Sequence, residues 1–175
     1  MDVNHKSYPA VRALRDKDEV KILFVCLGNI CRSPAAEGIL RDIAASQDPD
    51  PSRYTIDSAG TGNYHVGDLP DLRMRIHARS RGINLDHRCR QVHESDFRDF
   101  DLIVPMDASN ERNLHSLCPD PELEDKIVPM SAFFGPAAGY TYVPDPYYEG
   151  DSGFELVLDL LADGCRNLYD SIKKS

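Results

Sequence analysis

No run of apolar residues in this chain approaches the roughly 20 that a bilayer-spanning helix requires; the longest, residues 22–27, suits a buried strand. The N-terminus lacks the apolar stretch of a secretory signal. Basic residues are the minority, 20 Lys and Arg against 29 Asp and Glu, for a formal charge of −9. Nucleic acid and anionic membranes are repelled by such a chain at long range, so neither a nucleic-acid partner nor membrane insertion is expected, and an anionic ligand must be held by local groups. Paired cysteines are missing too. The five, at 26, 31, 89, 118 and 165, are odd in number and form no C-x-x-C pair, which argues against a secreted disulfide framework and against a zinc ribbon. Reduced thiols in a cytoplasmic protein are the expectation. Neither G-x-x-x-x-G-K-S/T nor G-x-G-x-x-G occurs, so a nucleotide cradle has no support. No internal repeat or low-complexity tract is present.

What remains is a chain of 175 residues, 41% hydrophobic and 28% charged, a length and composition that suit one globular domain. β-rich apolar runs alternate with amphipathic segments from residue 20 onward. Strands are predicted at 21–27, 54–57, 102–106 and 126–128, and helices at 34–45, 71–81, 109–117 and 154–172. Alternation of this kind implies right-handed crossovers and an α/β fold, an open parallel sheet with helices on both faces. Ala36, Ile39, Leu40 and Ile43 form one core-facing helical stripe; Val157, Leu158, Leu161, Cys165, Leu168 and Ile172 form another. Residues 1–19, polar and interrupted by Pro9, read as a loosely ordered extension, and residues 20–175 as the domain. The stretch 134–151, rich in Gly, Pro and Tyr, reads as a long and functional surface loop.

The first predicted strand runs into Cys26-Leu27-Gly28-Asn29-Ile30-Cys31-Arg32-Ser33-Pro34, and a helix follows at once. In an open parallel sheet ligands gather at the carboxyl ends of strands, where such a turn directs backbone N–H groups and a helix dipole at one spot. Gly28 and Asn29 are the residue types that most readily turn left-handed to curl a short loop. Ser33 and Pro34 read as the N-cap and first residue of the helix. Arg32 adds a planar fork that grips two phosphate oxygens. Cys26, at the base, is surrounded by groups that all favour thiolate over thiol, and so reads as a nucleophile. The alternative, a buried strand-end cysteine beside a surface arginine, leaves the loop and its capped helix unexplained.

These nine residues resemble the phosphate loop of the low-molecular-weight protein tyrosine phosphatases. Residues 56–61, 87–91 and 101–110 and the run Asp145-Pro146-Tyr147-Tyr148 resemble that family's later segments, in the family's order. The departures are the extension before Val20 and Tyr64, where many members carry Trp. The resemblance implies hydrolysis of phosphotyrosine, or of a small aryl phosphate, through a phosphocysteine on Cys26. Leu27, Gly28, Asn29, Ile30, Cys31, Arg32 and Ser33 would surround the phosphate, and inorganic phosphate and vanadate would inhibit. Backbone dipoles and Arg32 neutralise charge there, so neither a metal nor another cofactor is implied. A departing aryl or alkyl oxygen needs a proton that a thiolate cannot supply. Asp145 is the candidate acid; Asp-Pro alone reads only as a turn, and the family match gives it the role. Ser33 would bond the sulfur, and Asn29, Ser58 and His87 would hold the loop in shape, although on their own they read as a turn Asn, a strand-end Ser and a surface His. Tyr64 and Tyr147 would form an aromatic rim, and Ile30 matches the tyrosine-specific members rather than the relatives that act on phosphoarginine. Cys31 is a candidate redox partner of Cys26, or else a small buried residue beside the helix.

Three alternatives stand beside this reading. A thiol-dependent arsenate reductase of the same fold could use Cys89, but the Asp145-Pro146-Tyr147 run and the lack of two closely spaced cysteines after the second helix weigh against it. A metal-binding module on His87, Cys89 and His93 matches no common zinc spacing. A non-catalytic phosphopeptide-binding module would not need Cys26, Arg32, Ser33 and Asp145 together.

Overall fold

The computed structural model describes residues 8–147 and 149–175. Strand β1 (Val20–Cys26) lies between β2 (Tyr54–Gly60) and β3 (Leu102–Pro105) in a parallel sheet of order β2-β1-β3. Its register runs from Val20 opposite Tyr54 to Cys26 opposite Gly60, and Ile22 lies opposite Leu102. Flanked on both edges, β1 is buried on both faces, which its unbroken apolar sequence anticipates. Strand alternation sorts its side chains into two cores. Ile22, Phe24 and Cys26 face α2 (Arg32–Gln47) and α6 (Asp151–Ile172), through Ile39, Leu40, Leu158 and Leu161. Leu23 and Val25 face Phe97 of α4 (Asp96–Asp99) and Leu114 of α5 (Ala108–Leu117). The remaining long-range element, α3 (Leu72–Ser80), packs on α6.

Three expectations are corrected. Residues 126–128 form no strand: Lys126 closes a 3-10 helix, Pro121–Lys126, and Ile127 makes a single parallel bridge to Ile103. Pro129, with no N–H to donate, follows directly, so the ladder cannot lengthen. Ser33 is not the N-cap of α2; the helix starts at Arg32 with Cys31 in the cap position, and the Ser33 hydroxyl is spent on other partners. The extension, expected to be loose, is docked over its described part. Helix α1 (Pro9–Arg12) buries Val11, and Leu14 follows it into the core. Arg53 donates to the carbonyls of Leu14, Arg15, Lys17 and Ile172, tying the extension to the end of α6. Residues 1–7 and Tyr148 lie outside the described residues. None of the described helices is long and apolar enough to cross a membrane.

Candidate active site

The segment from Cys26 to Ser33 leaves the end of the central strand and curls back into α2. Its tightest point is Asn29, with φ of 57°, the one described non-glycine residue in the left-handed region. The loop's carbonyls turn outward into protein bonds. Cys26 and Leu27 accept from the backbone N–H of Thr61 and Gly62, Ile30 from that of Asp71 at 2.8 Å, and Asn29 from the Cys89 thiol at 2.8 Å. Among the described residues no protein acceptor takes the backbone N–H groups of residues 27–33, so they are available to an anion. Gly60 lets the loop lie this close to β2, since a Cβ there would sit 2.6 Å from the Leu27 carbonyl oxygen.

Asn29 uses its whole amide to hold this shape. Nδ2 donates to Ser33 Oγ at 2.9 Å and to Ser58 Oγ at 3.0 Å, while Oδ1 faces His87 Nε2 at 3.0 Å and accepts from the Arg90 N–H at 2.9 Å. Ser33 Oγ, already accepting from Asn29, lies 3.0 Å from Cys26 Sγ and 3.4 Å from the Ala59 carbonyl, and its proton can go to either. Behind this layer Ser58 donates to Glu37 at 2.8 Å. Glu37 is buried, and burial pushes its carboxyl up to about 7. His87 Nδ1 lies 3.3 Å from Glu37 and 3.4 Å from Asp57, and burial holds its imidazole below the usual range despite the Asp57 charge. Oxygens of Glu37, Asp57 and nitrogen of His87 lie within 4.8 Å of one another. Arg41 and Arg90 take the outer oxygens of the two carboxylates, at 3.4 Å and 3.1 Å, so the cluster is neutralised within the protein and supports the loop.

Arg32 is 3% exposed. Its Nη1 donates to Asp107 Oδ2 at 2.7 Å and to the Val143 carbonyl at 2.9 Å, and Nη2 lies 3.7 Å from Asp145 Oδ2. Burial alone would push the guanidinium pKa down, but the charges of Cys26 and Asp107 outweigh it and raise it. Cys26, Arg32 and Asp145 share a cleft of about 340 Å³ with Leu27, Gly28, Ile30 and Cys31 of the loop and with Tyr64 and Tyr147 at the mouth. Asn29, Ser33, Ser58 and His87 are drawn behind it. The predicted residues are thus brought together in two layers. Cys31 is buried, and that burial pushes its thiol far up. His87, Cys89 and His93 do not form a common site, since they bond Asn29 Oδ1, the Asn29 carbonyl and Ser95.

Sequence reasoning passed over four residues. Asp107 caps α5 through Oδ1, bonding the Asn110 N–H at 2.8 Å, and holds Arg32 through Oδ2. Its Asp-x-Ser-Asn setting signals the cap alone. Glu37 sits in a helix among apolar residues, and that misplaced charge was the available signal. Cys89 was considered only as a redox or metal group, yet it bonds the loop's backbone. His65 lines the cleft mouth, with no sequence signal beyond its position beside Tyr64.

An open parallel sheet that presents a thiol, a buried guanidinium and a ring of unspent N–H groups at the end of its central strand defines a thiol-based oxyanion site. The sequence pattern of the low molecular weight phosphotyrosine protein phosphatases matches residues 21–175, and the chain belongs to that family. The low molecular weight phosphotyrosine protein phosphatase of Schizosaccharomyces pombe is 39% identical over 153 residues, covering 87% of this chain and 97% of that protein. The crystal structure of a protein tyrosine phosphatase from Entamoeba histolytica with Hepes in its active site superposes with a TM-score of 0.83 at 45% identity, covering 87% of this chain and 96% of that one. A Drosophila arginine phosphatase superposes with a TM-score of 0.79 at 30% identity, covering 89% of this chain and 99% of that one.

Proposed function

We propose that this chain is a protein tyrosine phosphatase that hydrolyses phosphotyrosine and small aryl phosphates through a phosphocysteine, and that it works in the cytoplasm with its cysteines reduced. The observation that carries the reading is the Cys26 sulfur 3.0 Å from Ser33 at the base of a loop whose N–H groups have no acceptor among the described residues, with Arg32 beside it and Asp145 across the cleft. In the first step the Cys26 thiolate attacks phosphorus in line. The S–P bond forms as the P–O bond breaks, and protonated Asp145 gives its proton to the departing oxygen. Loop amides and Arg32 hold the three remaining oxygens. Ser33 bonds the sulfur and makes it a better leaving group for the second step. There water attacks phosphorus, Asp145 takes the water proton, and the S–P bond breaks to return thiolate and phosphate.

Tyr64, 73% exposed, and Tyr147 stand where an aromatic ring attached to the phosphate would lie. Together with Ile30 they favour phosphotyrosine over phosphoarginine. Turnover of p-nitrophenyl phosphate, a phosphotyrosyl peptide and a phosphoarginyl peptide in EDTA tests the assignment. The first two are expected to be hydrolysed, vanadate to inhibit, and Cys26→Ser to bind phosphate without turnover. Retained turnover in Cys26→Ser, or loss of activity on chelation, overturns it. Cys31 serves in this reading as a resolving thiol: peroxide oxidises Cys26 to sulfenic acid, and the Cys31 sulfur displaces its oxygen as water to form a disulfide. Dithiothreitol is expected to restore the peroxide-treated wild type but not Cys31→Ser. Equal recovery leaves Cys31 as packing.

A further inference from the structure

We propose that Arg73 is a positioning residue that holds the acid-bearing segment at its working distance from the anion loop, so that substrates with poor leaving groups depend on it. The inference rests on the phosphatase reading above.

Asp145 is not fixed by packing, since its side chain is 47% exposed. The segment around it is held instead at two points on either side. Two residues before it, the Val143 carbonyl accepts from Arg32 at 2.9 Å, and the Val143 N–H donates to the Met106 carbonyl in the core. Two residues after it, the Tyr147 carbonyl accepts from Arg73 Nη2 at 3.1 Å. Tyr147 passes that hold to the acid, because its N–H donates to Asp145 Oδ1 at 3.0 Å. The bond on Oδ1 leaves Oδ2 as the oxygen facing the cleft.

Arg73 is itself fixed against the anion loop. It lies in the first turn of α3, whose N-cap Asp71 donates its backbone N–H to the Ile30 carbonyl at 2.8 Å. The Asp71 carboxylate accepts from Arg73 Nε at 3.2 Å and Nη2 at 3.1 Å. The guanidinium carbon lies 4.9 Å from the centre of the Phe154 ring and 5.4 Å from that of Tyr147. A continuous line of contacts therefore runs from Ile30 through Asp71, Arg73 and Tyr147 to Asp145, round the outside of the cleft. Arg73 does not line the cleft itself; it reaches the acid through the segment it holds, while its bonds to Asp71 also connect it to the anion loop, which phosphate inhibition reads separately. A fork that bonds a carboxylate and a carbonyl while its carbon sits over two rings is a task for arginine, and a lysine cannot repeat it. Its side chain is 44% exposed, and exposed ion pairs contribute little to stability, so positioning and structural roles separate experimentally.

The test measures kcat and KM of wild type, Arg73→Ala, Arg73→Lys, Asp145→Ala and the Arg73→Ala/Asp145→Ala double variant on aryl phosphates of increasing phenol basicity, with phosphate inhibition and Tm alongside. Arg73→Ala is expected to lower kcat/KM about tenfold on phenyl phosphate and less than about threefold on p-nitrophenyl phosphate, whose leaving group needs little protonation. Arg73→Lys is expected to follow Ala, with phosphate inhibition and Tm close to wild type. In the Asp145→Ala background the Arg73 effect is expected to vanish. Equal losses of kcat/KM across the phenols, a loss of kcat/KM that persists in that background, unchanged kcat/KM, or a large fall in Tm each overturn the proposal. A steep leaving-group dependence in Asp145→Ala with none in Arg73→Ala rejects Arg73 alone. A flat dependence in Asp145→Ala rejects the acid role and the proposal with it.

Discussion

Asp107 divides its carboxylate between two tasks, capping α5 with one oxygen and holding Arg32 with the other. Asp107→Asn keeps a side-chain oxygen for the cap and removes the charge beside Arg32. Phosphate inhibition and kcat/KM are expected to weaken by about tenfold, the scale of one charge-assisted bond, with Tm little changed; inhibition equal to wild type would show that the loop alone orients Arg32. Glu37 and His87 make a second prediction, in pH. Burial raises the Glu37 carboxyl from 4.5 to about 7, so the folded protein keeps a proton that the unfolded chain has released. The stability this contributes is full below the unfolded value and is lost as pH rises through the folded one. His87 runs the other way: its imidazole lies below 6.5, so its contribution is present above that value and is lost as pH falls through the folded one. Glu37→Gln removes the first dependence. Its Tm advantage over wild type is therefore expected to widen from about pH 5 to about pH 8, and a gap that stays constant contradicts the assignment. Of these residues, Cys26, Arg32, Asn29 and Ser33 were legible because they lie in one short loop with its own chemistry. Asp107 and Glu37 were not: the helix cap already accounts for Asp107 locally, and the misplaced charge of Glu37 does not say that its partners, Ser58 and His87, come from distant segments.

Among the elements, β1, α2 and α6 were legible because each carries a strong periodic signal and buries most of it. The failed strand at 126–128 shows the limit, since an apolar pair enclosed by a 3-10 helix and Pro129 has the composition of a strand without room for a ladder. The extension fails in the other direction. Its sequence shows little apolar periodicity, and the group that fixes it, Arg53, belongs to another element. Leu14→Ala is expected to cost about 2–5 kcal/mol, as a buried leucine deletion does. Arg53→Ala, which strips donors from carbonyls at the ends of two elements, is also expected to lower the urea midpoint. These contacts gather at the Val20 end of β1, about 20 Å from Cys26 at strand spacing, so kcat of the folded variants is expected to match wild type. An unchanged urea midpoint in both would mean that the docking contributes nothing.

Taken whole, the molecule carries a formal charge of −9 and places its unspent N–H groups and a buried guanidinium at one point of a negative body. The parallel-sheet class was legible from the alternation of strands and helices, and the location of the site from the rule that ligands gather at strand ends. The two-layer arrangement was not, because it depends on how segments from residue 26 to residue 145 meet in space. One consequence concerns solution conditions rather than catalysis. The cradle exists only in the folded chain, so an oxyanion that fills it shifts the unfolding equilibrium by mass action, by about 2.7 kcal/mol at a hundred times its dissociation constant. Vanadate and phosphate are expected to raise Tm in a saturable manner, and sodium chloride at equal ionic strength is not; matching shifts from all three would assign the effect to screening. The formal charge alone predicts that this acidic protein should be indifferent to anions or averse to them, whereas the loop is expected to make a small dianion one of its stabilisers.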